Sequence, residues 1–306
     1  MKKRYYLIFS IIFLLTFSCK KTEPPAYLFI SDKDFKINTD NFNKDHLTEY
    51  DNEELEAIRQ QSFTSVLVSL RGKVLGYWQL PCTIPLLPDY NTENNILVTP
   101  CVKTRNLTEN TEPYNFLKSE ERFLTIEREG VYKFSDFHID FEYAKNVTFP
   151  ILETFSQTTS FKPNPRDTSK IRVPMEIYKN GEGASMGRIA LEDTLMFFNV
   201  ITSYIDLRPG YRHYWEMDYF CENGEMETYL DIKSPSTANP EFKLLILPAT
   251  KSWKKIYIDL SEWVPLIAGS ATKVSVGLGI MGKKNSDANA YFYFDNVKLI
   301  SMPAPY

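Results

Sequence analysis

Ser185 stands in the pentapeptide "GASMG", residues 183–187, which satisfies G-x-S-x-G and would offer a hydroxyl nucleophile for acyl transfer. That chemistry needs a strained strand-to-helix turn under the serine, with an acid and then a histidine later in the chain. The only histidine after Ser185 is His213, 28 residues on, along the inward face of an expected strand. No α/β repeat surrounds the motif, so the glycines read as a turn leading into a strand. No catalytic residue is assigned, and an enzyme is not expected.

A second constellation lies in "VYKFSDFHIDFEYA", which alternates as a strand. Phe137, Ile139 and Phe141 face one way; Asp136, His138, Asp140 and Glu142 face the other. Alternate residues on a strand sit nearly ~7 Å apart, too far for all four to reach one ion without another strand. The bland reading is a solvated polar face, with zinc or calcium as the alternative.

The third constellation is a hairpin. In "YRHYWEMDYFC" the residues Tyr211, His213, Trp215, Met217, Tyr219 and Cys221 share an inward face, while Arg212, Tyr214, Glu216 and Asp218 point outward. Asn223-Gly224 reads as a two-residue turn, and the return strand places Glu227, Tyr229 and Asp231 on the same outward face. Flat aromatic rings suit sugar C–H groups, and carboxylates with a guanidinium suit hydroxyls. Arg212, Tyr214, Glu216, Asp218, Glu227, Tyr229 and Asp231 are therefore the candidate ligand-binding residues. The same composition also describes an ordinary wet sheet face.

One cysteine carries a different chemistry. "MKKRYY" is a basic start, and "LIFSIIFLLTF" is an apolar run short of the about 20 residues that span a bilayer. Cys19 follows at once, preceded by Leu15, Thr16, Phe17 and Ser18. This resembles a bacterial lipoprotein signal, which implies diacylglycerol transfer to the Cys19 thiol, cleavage before it, and acylation of the new amine. An ordinary signal anchor is the alternative. "KKTEPPA" then forms a polar, proline-stiffened spacer. Lys20 and Lys21 stand where an acidic run would favour display outside the cell, so the outer membrane is expected with its side left open.

The rest of the chain must position these groups. Its 306 residues suggest about two domains, and 43% hydrophobic residues supply packed cores. The net charge of −4 becomes −7 once Lys2, Lys3 and Arg4 leave with the signal, which argues against a nucleic-acid partner. Abundant Tyr and Phe favour strands. "RGK" between two β-rich runs signals a hairpin, "DNEELEAIRQQS" a short helix or a polar loop, and residues 156–170 a loop. Cys82, Cys101 and Cys221 show no zinc spacing; Cys82 and Cys101 could bridge, although buried thiols fit better. Trp78, Trp253 and Trp263 carry no assignment; Trp253 begins a strand, with a sandwich rim as one place open to it. The expected fold is all-β. A signal peptide spans residues 1–18 and a spacer 19–26. A small β-sandwich follows over 27–146, and a jelly-roll sandwich over 147–306.

"KSWKKIYIDLSEWV" and, further on, "YFYFDNVKLI" resemble the closing strands of carbohydrate-binding-module-like jelly rolls. Residues 147–300 are similar to a domain of uncharacterised Bacteroidetes lipoproteins, and "VSLRGKVLGYWQLPCTIPLL" resembles their transthyretin-like first domain. The resemblance implies a structural calcium joining Glu153 to Asp295; a hydrogen-bonded strand-end Asp295 is the alternative. No other cofactor is expected. The expected role is a membrane-anchored, non-catalytic binding or accessory protein of the cell envelope, with a glycan or an envelope protein as partner. The alternatives are a structural part of an envelope assembly and a polysaccharide-active hydrolase.

Overall fold

The computed structural model describes residues 23–40, 42–45, 49–105, 109–168, 171–233 and 241–304. Cys19, the apolar run and Lys20–Lys21 lie outside these residues. No described helix is long and apolar enough to cross a membrane.

Period-two alternation governs the chain. The first half contributes β1 (Ala26–Ile30), β2 (Lys36–Ile37), β3 (Ser65–Leu70), β4 (Lys73–Gln79), β5 (Cys82–Leu86) and β6 (Glu93–Arg105). It continues with β7 (Glu109–Pro113), β8 (Glu121–Thr125), β9 (Val131–Lys133) and β10 (Asp140–Phe141). The second half contributes β11 (Thr148–Glu153), β12 (Lys162–Pro163), β13 (Glu176–Lys179), β14 (Ser185–Leu191), β15 (Phe197–Ile201) and β16 (Ile205–Leu207). It ends with β17 (Tyr211–Glu222), β18 (Gly224–Ile232), β19 (Glu241–Leu247), β20 (Lys254–Asp259), β21 (Val274–Lys284) and β22 (Ala290–Pro303). The fold is all-β, as expected.

Three short helices interrupt the strands: α1 (Phe42–Asp45), α2 (Asn52–Arg59) and α3 (Trp263–Ala268). "DNEELEAIRQQS" takes its helical option as α2. Asp51 accepts from the Glu54 N–H at 2.9 Å, and Glu54 accepts from the Asp51 N–H at 2.9 Å, a reciprocal cap that starts the helix.

The second half is a sandwich of two sheets over one core that includes Trp215, Met217, Phe292, Phe294, Leu230 and Ile280. One sheet runs β12-β15-β21-β18-β19. The other runs β13-β14-β22-β17-β20 and continues through β6, β3 and β4 of the first half. The join is a short parallel pairing of Tyr257 with Thr104 and Ile258 with Arg105. A second core, from Leu28 to Phe149, fills the first half and includes Tyr214, Tyr257, Ile300 and Met302 from the second. The two halves thus meet along a shared sheet and a shared apolar interior.

Asn296 divides the outer face of that sheet. Glu216 pairs with Lys298 but Asp218 pairs with Asp295, so β22 carries an extra residue there, and Asn296 sits at a positive φ of 47°. On one side of the bulge Tyr291 and Tyr293 point outward into the open. On the other, Lys298, Ile300 and Met302 lie buried against the first half.

Two sequence expectations need correction. First, Asn223-Gly224 does not close a hairpin: β17 pairs with β20 and β22, whereas β18 pairs with β19 and β21. The turn carries the chain from one sheet across to the other, and a Cβ on Gly224 would sit 2.4 Å from the Phe292 ring. Second, "VYKFSDFHIDFEYA" is not one strand. A 3-10 turn over Phe134–Phe137 and a left-handed His138 (φ 49°) break it, so Asp136, His138, Asp140 and Glu142 do not share a face. Cys82 and Cys101 are free thiols, the preferred expectation, as is Cys221, with Cys82 half-buried and the other two buried. The "RGK" hairpin forms as expected, with Arg71 and Gly72 both at positive φ.

Candidate functional site

Because β17 and β18 belong to different sheets, their outward faces lie on opposite sides of the sandwich. Arg212, Tyr214, Glu216 and Asp218 cannot join Glu227, Tyr229 and Asp231 in one surface. Most of the seven are also covered. Tyr214 is 3% exposed and packs edge-on against Phe116, 5.0 Å between centroids. Glu216 is wholly buried, accepting from the Tyr114 hydroxyl at 2.5 Å and from Gln61 Nε2 at 3.1 Å. Asp218 is half-buried beside Lys255 at 3.2 Å, and Arg212 is half-buried.

On the other sheet Tyr229 is buried, its ring lying across Gly279. Its hydroxyl donates to Asn199 Oδ1 at 2.5 Å and accepts from Asn164 Nδ2 at 2.8 Å. Asp231 is buried between Arg166 and the Tyr204 hydroxyl, and Glu227 pairs with Lys243 at 3.0 Å. Strand alternation predicted which way these side chains point; it carries no record of the chain segments that cover them.

The other nominated groups have structural partners. Ser185 opens β14 after Gly183, which is at φ +86°. His213 is buried far from a nucleophile's needs: Nε2 donates to the Arg208 carbonyl at 3.0 Å, so Nδ1 accepts from the Ser301 hydroxyl at 2.7 Å. Burial lowers its pKa, keeping it neutral. Glu153 accepts from the Phe155 N–H at 2.9 Å and the Ser160 N–H at 2.5 Å. Asp295 accepts from the Asn296 N–H at 2.7 Å, and burial with neighbouring Asp218 pushes its carboxyl up to about 6. Among the described residues no three His, Cys, Asp or Glu side chains gather as a metal site. Both carboxylates thus accept backbone hydrogen bonds, Asp295 in the way its alternative reading expects.

The open half of the large sheet carries a feature that sequence reasoning missed. Tyr178, Tyr293, Phe220 and Trp253 form a row across four strands' width, with centroid separations of 5.9, 5.8 and 6.3 Å. Register fixes the row: Arg188 stands opposite Tyr293, and Tyr293 opposite Phe220. Arg188 stacks over Tyr178, its guanidinium carbon 4.6 Å from the ring centroid, and reaches Glu176 at 3.6 Å. Beside the row Tyr291 donates to Glu192 at 2.9 Å. Trp253 is 44% exposed at the rim and the other three rings are half-exposed. Phe220 extends the alternation of Tyr214 and Asp218 by one further step, and that was the signal available in the sequence.

Among the cavities beside the sandwich, two lie near the nominated residues. One of about 650 Å³ lies between α2 and the large sheet, with Glu53, Glu56, Ser185, Asp295 and Asn296 on its walls. The other, about 210 Å³, opens on the smaller sheet between Phe197, Met281 and Ile246, rimmed by Glu225, Glu227 and Lys283.

No family model matches the chain, and no curated protein matches it. Solved structures with a similar arrangement include the family 11 carbohydrate-binding module of cellulosomal cellulase Lic26A-Cel5E of Clostridium thermocellum. It is 14% identical, covers 50% of this chain and 94% of its own, and has a TM-score of 0.33. A structure described for carbohydrate-binding modules of the beta-sandwich superfamily is 11% identical over 91% of this chain and 99% of its own, at 0.32. A cyclase from Fischerella sp. is 12% identical over 53% of this chain and 100% of its own, at 0.31. These likenesses are distant, and the fold stands on the strand pairing described above.

Proposed function

We propose that this chain is a non-catalytic binding protein of the cell envelope, tethered to the outer membrane through Cys19, which holds a glycan along Tyr178, Tyr293, Phe220 and Trp253. The single observation behind the glycan is that aromatic row on the unpaired half of the large sheet. Half-exposed rings in line offer π-faces to the apolar faces of successive sugars. Arg188, Glu176 and Glu192 beside them supply donors and acceptors for hydroxyls. A non-catalytic role is supported by the fate of the G-x-S-x-G motif: Ser185 opens a strand, and His213 is engaged by Ser301 and the Arg208 carbonyl.

Calorimetry with a panel of soluble plant, algal and bacterial-wall oligosaccharides tests the reading. Trp253→Ala and Tyr293→Ala should weaken any measured affinity at least about tenfold, or ~1.4 kcal/mol, while the melting transition barely moves. Uniform absence of heat, or binding that survives both substitutions, overturns it.

A structural role in an envelope assembly is favoured by one observation, the free edge of the large sheet at β4. Val74 and Tyr77 are exposed there, beside backbone groups that an added strand would pair. Crosslinking in cells that captures a fixed partner through position 74 or 77 would support that reading over the glycan.

A further inference from the structure

The small sheet β5-β1-β9 buries one face and leaves the other bare. In β1 the alternation is complete: Ala26, Leu28 and Ile30 are buried, and Tyr27 and Phe29 point out, each more than a third exposed. Register places Val131 beside Tyr27. Leu87 continues the outward parity of Pro85, which stands opposite Tyr27. Val131 is 72% exposed and Leu87 70% exposed, so four large apolar side chains share one face that no described segment covers fully.

That face adjoins the point where the described chain begins. Glu23 is held to Arg128 at 2.8 Å, the Pro24 carbonyl accepts from the Tyr90 hydroxyl, and Tyr27 N–H bonds Gly130 at 2.8 Å. Residues 23–27 are thereby fixed along the sheet. Between Cys19 and Glu23 the chain can extend no more than about 14 Å, at 3.3–3.6 Å per residue. A bilayer that receives either acyl chains on Cys19 or the apolar run before it lies within that reach.

We propose that the outer face of β5-β1-β9, through Tyr27, Phe29, Val131 and Leu87, rests on the lipid surface and makes a second contact beside the tether. The inference depends on the membrane tether proposed above. Aromatic side chains favour the interfacial zone of a bilayer, and Lys133, next to Phe29 in register, suits its phosphates. The contact adds a fixed orientation to the tether. It sets which side of the molecule faces the membrane and which faces away.

The test uses the full chain, acylated in a bacterial host and reconstituted in phosphatidylethanolamine–phosphatidylglycerol vesicles. In a Cys82→Ala background, nitroxides are placed at Val131→Cys, Leu87→Cys and, as control, Leu266→Cys on α3. Ascorbate reduction at positions 131 and 87 should be roughly fivefold slower than at 266, because a docked face sits within the headgroup layer. Vesicle-bound protein reduced equally fast at all three positions overturns the docked face alone. Protein that never floats with vesicles overturns the tether and the docked face together.

Discussion

Lys298 and Glu216 meet 3.4 Å apart with both side chains wholly buried, where the outer face of the second sandwich meets the first half of the chain. The Lys298 ammonium also donates to the carbonyls of Ala57 and Gln60, each at 3.0 Å, and so receives the end of α2. Tyr114 and Gln61 complete the shell of Glu216 from the first half. Burial draws the Lys298 pKa down to about 8, with Glu216 pulling the other way. A buried charge keeps its stability only while its partner stays. Lys298→Met or Glu216→Gln alone should cost about 3–5 kcal/mol in urea unfolding. The double variant should recover much of the loss, since no unpaired charge is left inside.

Asp295 provides the pH-dependent counterpart. Its carboxyl titrates near 3.8 when unfolded and about 6 when folded, chiefly through burial. The raised value means that folded protein binds the proton more tightly. Its contribution to stability is fully present below pH 3.8 and is lost as pH rises through about 6. Asp295→Asn should match the parent below pH 4 and exceed it by about 1–3 kcal/mol at pH 7.5. Parallel denaturation curves across that range check the sign.

Direction was legible in the sequence, and coverage was not. The alternation of β17 correctly turned Trp215 and Met217 inward and Tyr214 and Glu216 outward. Yet outward proved buried, because Phe116, Tyr114 and Gln61 arrive from about a hundred residues away or more. Asn-Gly announced a turn, but whether the chain pairs back or crosses to the facing sheet depends on what β20, β21 and β22 do later. The alternation through His138 failed for a local reason: the left-handed backbone there resets the face on which every later side chain falls. Trp253 was legible as a strand start, but its exposure at the rim was not. Its neighbours in the row required the register of three other strands.

Gly279 and Tyr229 offer a test of the smaller sheet. A Cβ on Gly279 would lie 2.0 Å from the Tyr229 ring, which cannot withdraw while its hydroxyl is held by Asn199 and Asn164. Gly279→Ala should therefore cost about 1–3 kcal/mol through overpacking. Tyr229→Phe keeps the ring and strands two amide groups, at about 1–3 kcal/mol. Thermal melts of the two variants, read beside the parent, separate the effects.

The free thiols report whether the two halves open as one. Burial pushes both Cys101 and Cys221 up to about 12, so neither is a thiolate at pH 8, while Cys82, also raised by burial, is only half-buried. With Cys19 replaced by serine, a thiol reagent at pH 8 should label Cys82 from the native state and the other two only on unfolding. Cys101 lies on β6 in the first half and Cys221 on β17 in the second, either side of the Lys298–Glu216 junction. Across a urea series their labelling should rise together in the parent, because the shared sheet and the buried pair couple the halves. In Lys298→Met the Cys101 transition should move to lower urea than that of Cys221, since the lost cation held α2 and the first half in place. Coincident transitions in that variant would show that the sheet alone carries the coupling.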